Sequence, residues 1–254
     1  MPLLLRRLIP WASAIVLAGA MEWFARNPLL YPWPQIVGLS LFLCSFILLA
    51  YRRLPVMEII SYGLPSVLTM IGLGVAMLLA DSFWERTLFI ILFVGIPFLI
   101  LELLYTLTSD PIRYPVNALS RINIALAPLA IFSMTASLVG VYVFAPLPWW
   151  CLLFALCFVS AVFAFATSHP TADKSHRIRW TVIGALIGLH AAVLGLILPV
   201  GMTVTGAIAA FLLAFPLRTR RYGFAPVPSR THAWTEGAMG SILVISLLLS
   251  ARWA

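Results

Sequence analysis

Long apolar runs separated by short polar breaks set the pattern of this chain. The runs lie near residues 8–24, 35–50, 56–80, 84–108, 119–144, 149–167, 180–198, 202–217 and 234–251. A bilayer core about 30 Å thick needs about 20 apolar residues per helix. Barrel strands would alternate with a period of two, and these runs are continuous instead. The pattern therefore predicts an all-α, polytopic helical membrane protein of about nine transmembrane helices. By this reading no connection exceeds about 18 residues, a loop length that leaves no room for a soluble domain. Residues 1–254 are expected to form one membrane domain. The small residues Ala18, Gly19 and Ala20 fit a signal-peptidase site, but with so many spans behind it the first run is expected to remain as an uncleaved anchor.

One stretch breaks the pattern. Between Glu102 and Asn123 the sequence reads ELLYTLTSDPIRYPVNALSRIN. Glu102, Tyr105, Thr106 and Ser109 share one helical face, at i, i+3, i+4 and i+7. Hydrocarbon offers such groups no partner, so the stripe is expected to point inward, toward other helices or a wet cavity. Glu102 lies about 9 Å inside the span at 1.5 Å per residue. An acidic side chain near a helix centre costs on the order of 2.5–3.5 kcal/mol to insert, so it must be paired, protonated or open to a cavity. Arg113 and Arg121 in the next connection, and His190 in the seventh run, are its candidate partners. Together with Asn117 and Asn123, these residues make up the candidate substrate- or ion-binding set. No residue is assigned a catalytic role, and no metal or cofactor is expected.

The other acidic residues have structural explanations. Ser82 and Glu85 form a capping box at the start of the fourth span. Glu58 and Glu236 fall in first helical turns, where the macrodipole favours a carboxylate. Glu22 stands four residues before Arg26 and suits an ion pair. Asp110, just before Pro111, has the look of an N-cap. Gly184 and Gly188 form a small-xxx-small packing face, joined on that side by Gly195. Pro97 and Pro128 interrupt the fourth and fifth spans.

Composition agrees with the pattern: 63% of residues are hydrophobic and 9% charged, against roughly 25% charged in soluble domains. The net charge of +8 changes the picture only through its distribution. Arg6, Arg7, Arg52, Arg53, Arg113, Arg121, Lys174, Arg177, Arg179, Arg218, Arg220, Arg221 and Arg230 fall in alternate loops, leaving Arg26, Arg86 and Arg252 on the other side. The positive-inside rule then predicts a cytoplasmic N-terminus and an external C-terminus. Trp23, Trp33, Trp84, Trp149, Trp150 and Trp253 would mark the outer interface, and Tyr51, Tyr114, Trp180, Tyr222 and Trp234 the inner one. The preference for Arg over Lys points to a GC-rich bacterial genome, hence the bacterial cytoplasmic membrane. Basic residues so placed imply topology rather than nucleic-acid binding. Cys44, Cys151 and Cys157 sit in apolar runs without metal-site spacing.

The sequence lacks GxSG with a partner histidine, DxxxD, HExxH, Walker A and GxGxxG elements. Three functions then fit. The first is a small transporter or lipid-handling protein with a polar cavity around Glu102 near the cytoplasmic side. The second is a non-catalytic subunit or scaffold of an envelope assembly. The third is an inner-leaflet enzyme on a lipid-linked substrate, with Glu102 as base and Arg113 or Arg121 on phosphate. Non-enzymatic readings are preferred. The expected partners are the bilayer, anionic lipid at the cytoplasmic face and other membrane subunits.

Overall fold

A computed structural model describes residues 3–80, 82–115, 118–145, 147–167, 174–197 and 201–222, with single positions at 238, 241, 242 and 245. Every regular element among the described residues is helical: α1 (Leu3–Arg26), a 3₁₀ turn (Pro28–Leu30), α2 (Trp33–Ala50), α3 (Val56–Leu79), α4 (Phe83–Ser109), α5 (Ala118–Phe144), α6 (Trp149–Ala166), α7 (Lys174–Ile197) and α8 (Met202–Tyr222). Seven of these, α1 to α7, are long and apolar enough to cross a membrane, whereas the apolar part of α8 is the shorter Met202–Leu213. The expected ninth span, 234–251, lies outside the described helices. Three helices outrun their apolar cores. α1 starts at Leu3 rather than near residue 8, α7 starts at Lys174 rather than near residue 180, and α8 continues to Tyr222. Residues 174–179 and 218–222 contain no Gly or Pro, so the polar ends carry the helix on beyond the apolar run.

The chain divides into two compact units. The first holds α1 to α4 and the opening of α5 up to Ala125; the second holds α5 from Leu126 with α6, α7 and α8. In hydrocarbon, burying apolar surface gives little drive, because lipid tails are as apolar as Leu. Close backbone approach and interhelical hydrogen bonds take over.

The first unit uses both devices. Gly38 of α2 lies where three helices meet: a Cβ there would stand 2.9 Å from Leu17 of α1 and 3.1 Å from Phe93 of α4. Gly63 of α3 leaves space for the Phe46 ring of α2. The hydroxyls of Ser13 and Ser45 share a buried hydrogen bond of 2.7 Å between α1 and α2. Asn123 of α5 donates through Nδ2 to the Ser61 and Tyr62 carbonyls of α3, at 3.1 and 3.3 Å. α1 and α4 run antiparallel, with Trp11 edge-on to Phe98 (centroids 4.9 Å apart) and the Arg7 guanidinium 5.8 Å from the centre of the Tyr105 ring. The start of α1 thus lies beside the end of α4.

The second unit is closed by glycine. A Cβ on Gly184 would overlap Ala164 and the Ser160 carbonyl of α6, and one on Gly188 would overlap the Leu156 carbonyl. Gly206 of α8 comes close to α5 less severely, with 2.9 Å from the Phe132 carbonyl to its virtual Cβ. Val139, Leu152, Leu156 and Ala192 form a buried cluster among α5, α6 and α7.

Candidate functional site

α4 begins and ends on local signals. The Ser82 side chain accepts the Glu85 N–H at 3.1 Å, as the capping box predicts. At the other end Asp110 is a C-cap, not an N-cap: its N–H donates to the Thr106 carbonyl at 2.9 Å and its carbonyl accepts from Arg113 N–H. The following residues form a turn rather than a helix, so Asp110 has no helix to start. Arg53, in the turn between α2 and α3, donates through Nη1 to the Thr108 carbonyl at 3.1 Å. That carbonyl is among the last four of α4, which lack helical partners, and a cation there also meets the favourable end of the helix dipole.

The deeply buried face of α4 is Phe93, Ile96, Pro97, Ile100, Leu101, Leu104 and Thr108. Glu102, Tyr105, Thr106 and Ser109 are half-buried. The polar stripe therefore flanks the buried face instead of forming it. Thr106 Oγ1 donates to the Glu102 carbonyl at 2.8 Å, a bond within the helix. Glu102 Oε2 and Ser109 Oγ are shielded from solvent and have no hydrogen-bond partner among the described residues. The same holds for Arg6 Nε on α1, one residue from the arginine that covers Tyr105. Along α4, Glu102 lies between the two α1 contacts at Phe98 and Tyr105.

Among the described residues neither Arg113 nor Arg121 is ion-paired with Glu102. Arg113 Nε pairs with Asp110 Oδ2 at 3.3 Å, in an ion pair whose arginine side chain is 82% exposed. Arg121 is exposed. His190 belongs to the second unit, exposed, with Nδ1 2.7 Å from the Leu186 carbonyl of its own helix. Asn117 lies outside the described residues. Asn123, 2% exposed, links α5 to α3 and leaves its Oδ1 unpartnered.

Sequence reasoning missed four participants at this end of the unit: Arg6, Arg7, Arg53 and Tyr114. The arginines were legible only as topology signals. Tyr114 Oη accepts the Leu119 N–H at 2.8 Å, satisfying one orphan donor of the first turn of α5. Burial pushes its phenol above the usual range. The Leu119 bond works the other way, and the Glu58 carboxylate adds a smaller upward push. Glu22 and Arg26 form the expected exposed ion pair at 2.9 Å. Among the described residues no group of three His, Cys, Asp or Glu side chains is placed to hold a metal.

Comparison of the chain with protein-family models, curated proteins and solved structures finds no match. The class therefore rests on the fold: this is a multi-helix, apolar membrane protein. Where α1 begins and α4 ends, Arg6, Glu102 and Ser109 each hold a buried polar atom with no hydrogen-bond partner among the described residues.

Proposed function

We propose that the chain is a small transporter or lipid-handling protein of the bacterial cytoplasmic membrane, with its N-terminus cytoplasmic, and that Glu102 is its working group. One observation carries the reading. Glu102 Oε2 is buried without a partner among the described residues. A carboxylate that only locked helices together would be expected in an ion pair, because an unpaired buried charge is costly. An unpartnered oxygen suits a group that binds and releases something: a proton, a cation or the polar head of a substrate. The thirteen basic residues in alternate loops support the orientation, and the exposed Trp23, Trp33, Trp84, Trp149 and Trp150 near helix ends suit a membrane interface. The same basic loops suit anionic lipid. Both compact units belong, in this reading, to one membrane domain.

Thiol accessibility tests function and orientation together. In a background with Cys44, Cys151 and Cys157 replaced by alanine, Glu102→Cys should react with a membrane-impermeant maleimide added from the cytoplasmic side. Leu101→Cys, on the fully buried neighbour, should not. Absence of reaction at position 102 from either side would overturn the working-group reading, and reaction only from outside would overturn the orientation.

A further inference from the structure

A pocket of about 140 Å³ lies between α2 and α3, away from Glu102, with Phe93 of α4 also in its wall. Gln35, in the first turn of α2, lines it and is only 9% exposed. Among the described residues neither its amide nitrogen nor its amide oxygen has a hydrogen-bond partner, and neither atom presents surface to the pocket, so an occupant reaches the amide by a turn of the side chain. Gly74 of α3 makes the room: a Cβ there would stand 3.2 Å from Gln35 Cγ. The rest of the lining is apolar apart from Tyr31, and no charged residue takes part. Two exposed isoleucines, Ile36 (47%) and Ile71 (40%), also line it and give it an apolar rim on membrane-crossing helices.

Buried polar groups are nearly always paired, and leaving one unpaired is costly. A primary amide offers two donor hydrogens and an acceptor oxygen. Water is a poor occupant. A water takes on the order of 10–15 Å³ on this scale and needs two to four polar partners, so the volume would hold many waters around very few anchors. An ionic group would enter unpaired. What fits is a mostly apolar body with one neutral hydrogen-bonding group.

We propose that this pocket binds the neutral polar end of a hydrocarbon-chain amphiphile, an alcohol or an ester carbonyl, with Gln35 as its hydrogen-bonding anchor. The site is independent of Glu102 and stands or falls without it. Two sources share the chemistry: the glycerol-ester region of a membrane lipid, and a dissolved amphiphile.

The test is photolabelling of the purified full chain in nanodiscs with a diazirine-bearing hexadecanol, set against the matching diazirine alkane without the hydroxyl. In the wild type the alcohol should label peptides containing Ile36, Ile71 or Phe93 saturably, and the alkane several-fold less. Gln35→Leu should lower alcohol labelling on the order of five- to tenfold, as loss of a hydrogen bond implies. Its melting temperature should stay at or above wild type, because the change replaces an unpaired amide with an apolar group of similar size. Competition identifies the source: displacement by dioleoylglycerol assigns the site to lipid, and displacement by octanol alone assigns it to a dissolved amphiphile. Equal labelling by alcohol and alkane in the wild type overturns the proposal without recourse to any variant. Unchanged labelling of Gln35→Leu, or displacement by neither competitor, does the same.

Discussion

The α6–α7 pair and the end of α4 solve the same physical problem in opposite ways. Both lie in helices apolar enough to cross a membrane, where hydrocarbon supplies no hydrogen bonds. At α6–α7 the glycines bring backbones so close that a Cβ at Gly188 would strike the Leu156 carbonyl. At the end of α4 the side chains are polar, and Glu102, Ser109 and Arg6 each keep a buried atom without a partner among the described residues. Close packing of that first kind serves only the fold. Unmet polar capacity adds nothing to the fold, so its presence asks for another reason.

If that contrast is right, the largest effect of substitution should fall on the glycine contact. Gly188→Leu should destabilise by about 3 kcal/mol, the upper part of the usual overpacking range, because the obstructing atoms are backbone and cannot swing aside. Folded yield in detergent should fall steeply, while Leu189→Ile, at an exposed neighbour, should leave it unchanged. Equal tolerance of both changes would remove one half of the comparison.

A smaller effect is expected at Asn123, which has features of both regions. It locks α5 to α3 through the Ser61 and Tyr62 carbonyls yet keeps Oδ1 unpartnered. Asn123→Leu should cost about 1–2 kcal/mol, the upper range for interhelical hydrogen bonds in membranes, read as a lower melting temperature. If the variant melted like the wild type, the asparagine would belong with the working residues rather than the structural ones.

The smallest expected effect concerns Tyr114. Its folded-state pKa lies above the usual 10, chiefly through burial. The neutral phenol is thus favoured by folding. The stability it contributes is complete below pH 10 and is lost as pH rises through the raised folded value. Between pH 9 and 11 the wild type should therefore lose slightly more thermal stability than Tyr114→Phe. Parallel losses would show that the hydroxyl titrates alike in folded and unfolded chains.

Much of the fold was legible because membrane helices announce themselves by length and apolarity. The bounds of α3, α4, α5 and α6 lie within a residue of those read from the pattern. α1 and α7 start earlier, and α8 ends later, than the apolar spans read from the pattern, because apolarity marks where a helix is buried in lipid, while hydrogen bonding marks where it ends. Glycine spacing revealed the α7 face because small-xxx-small is a one-helix pattern. The surroundings of Glu102 were not legible in the same way. Its stripe could be read along one helix, but which helix faces it is a tertiary fact, and Arg6 and Arg7 lie almost a hundred residues away. Nearness in sequence favoured Arg113, which pairs with Asp110 instead. Gln35 escaped notice because a single amide at a helix start carries no pattern at all.

In the proposed function the Glu102 carboxylate near the end of α4, with Oε2 unpartnered among the described residues, works rather than holds. Glu102→Gln keeps size and hydrogen-bonding capacity and removes the ionisable group, so the most direct measurement is membrane abundance of that variant alongside its ability to rescue a deletion strain. Wild-type abundance and melting temperature are expected, with failure to rescue. Loss of the protein from the membrane, restored by neutralising Arg6 or Arg7 as well, would mean that Glu102 is an anchor and would contradict the account. So would an abundant variant that rescues fully.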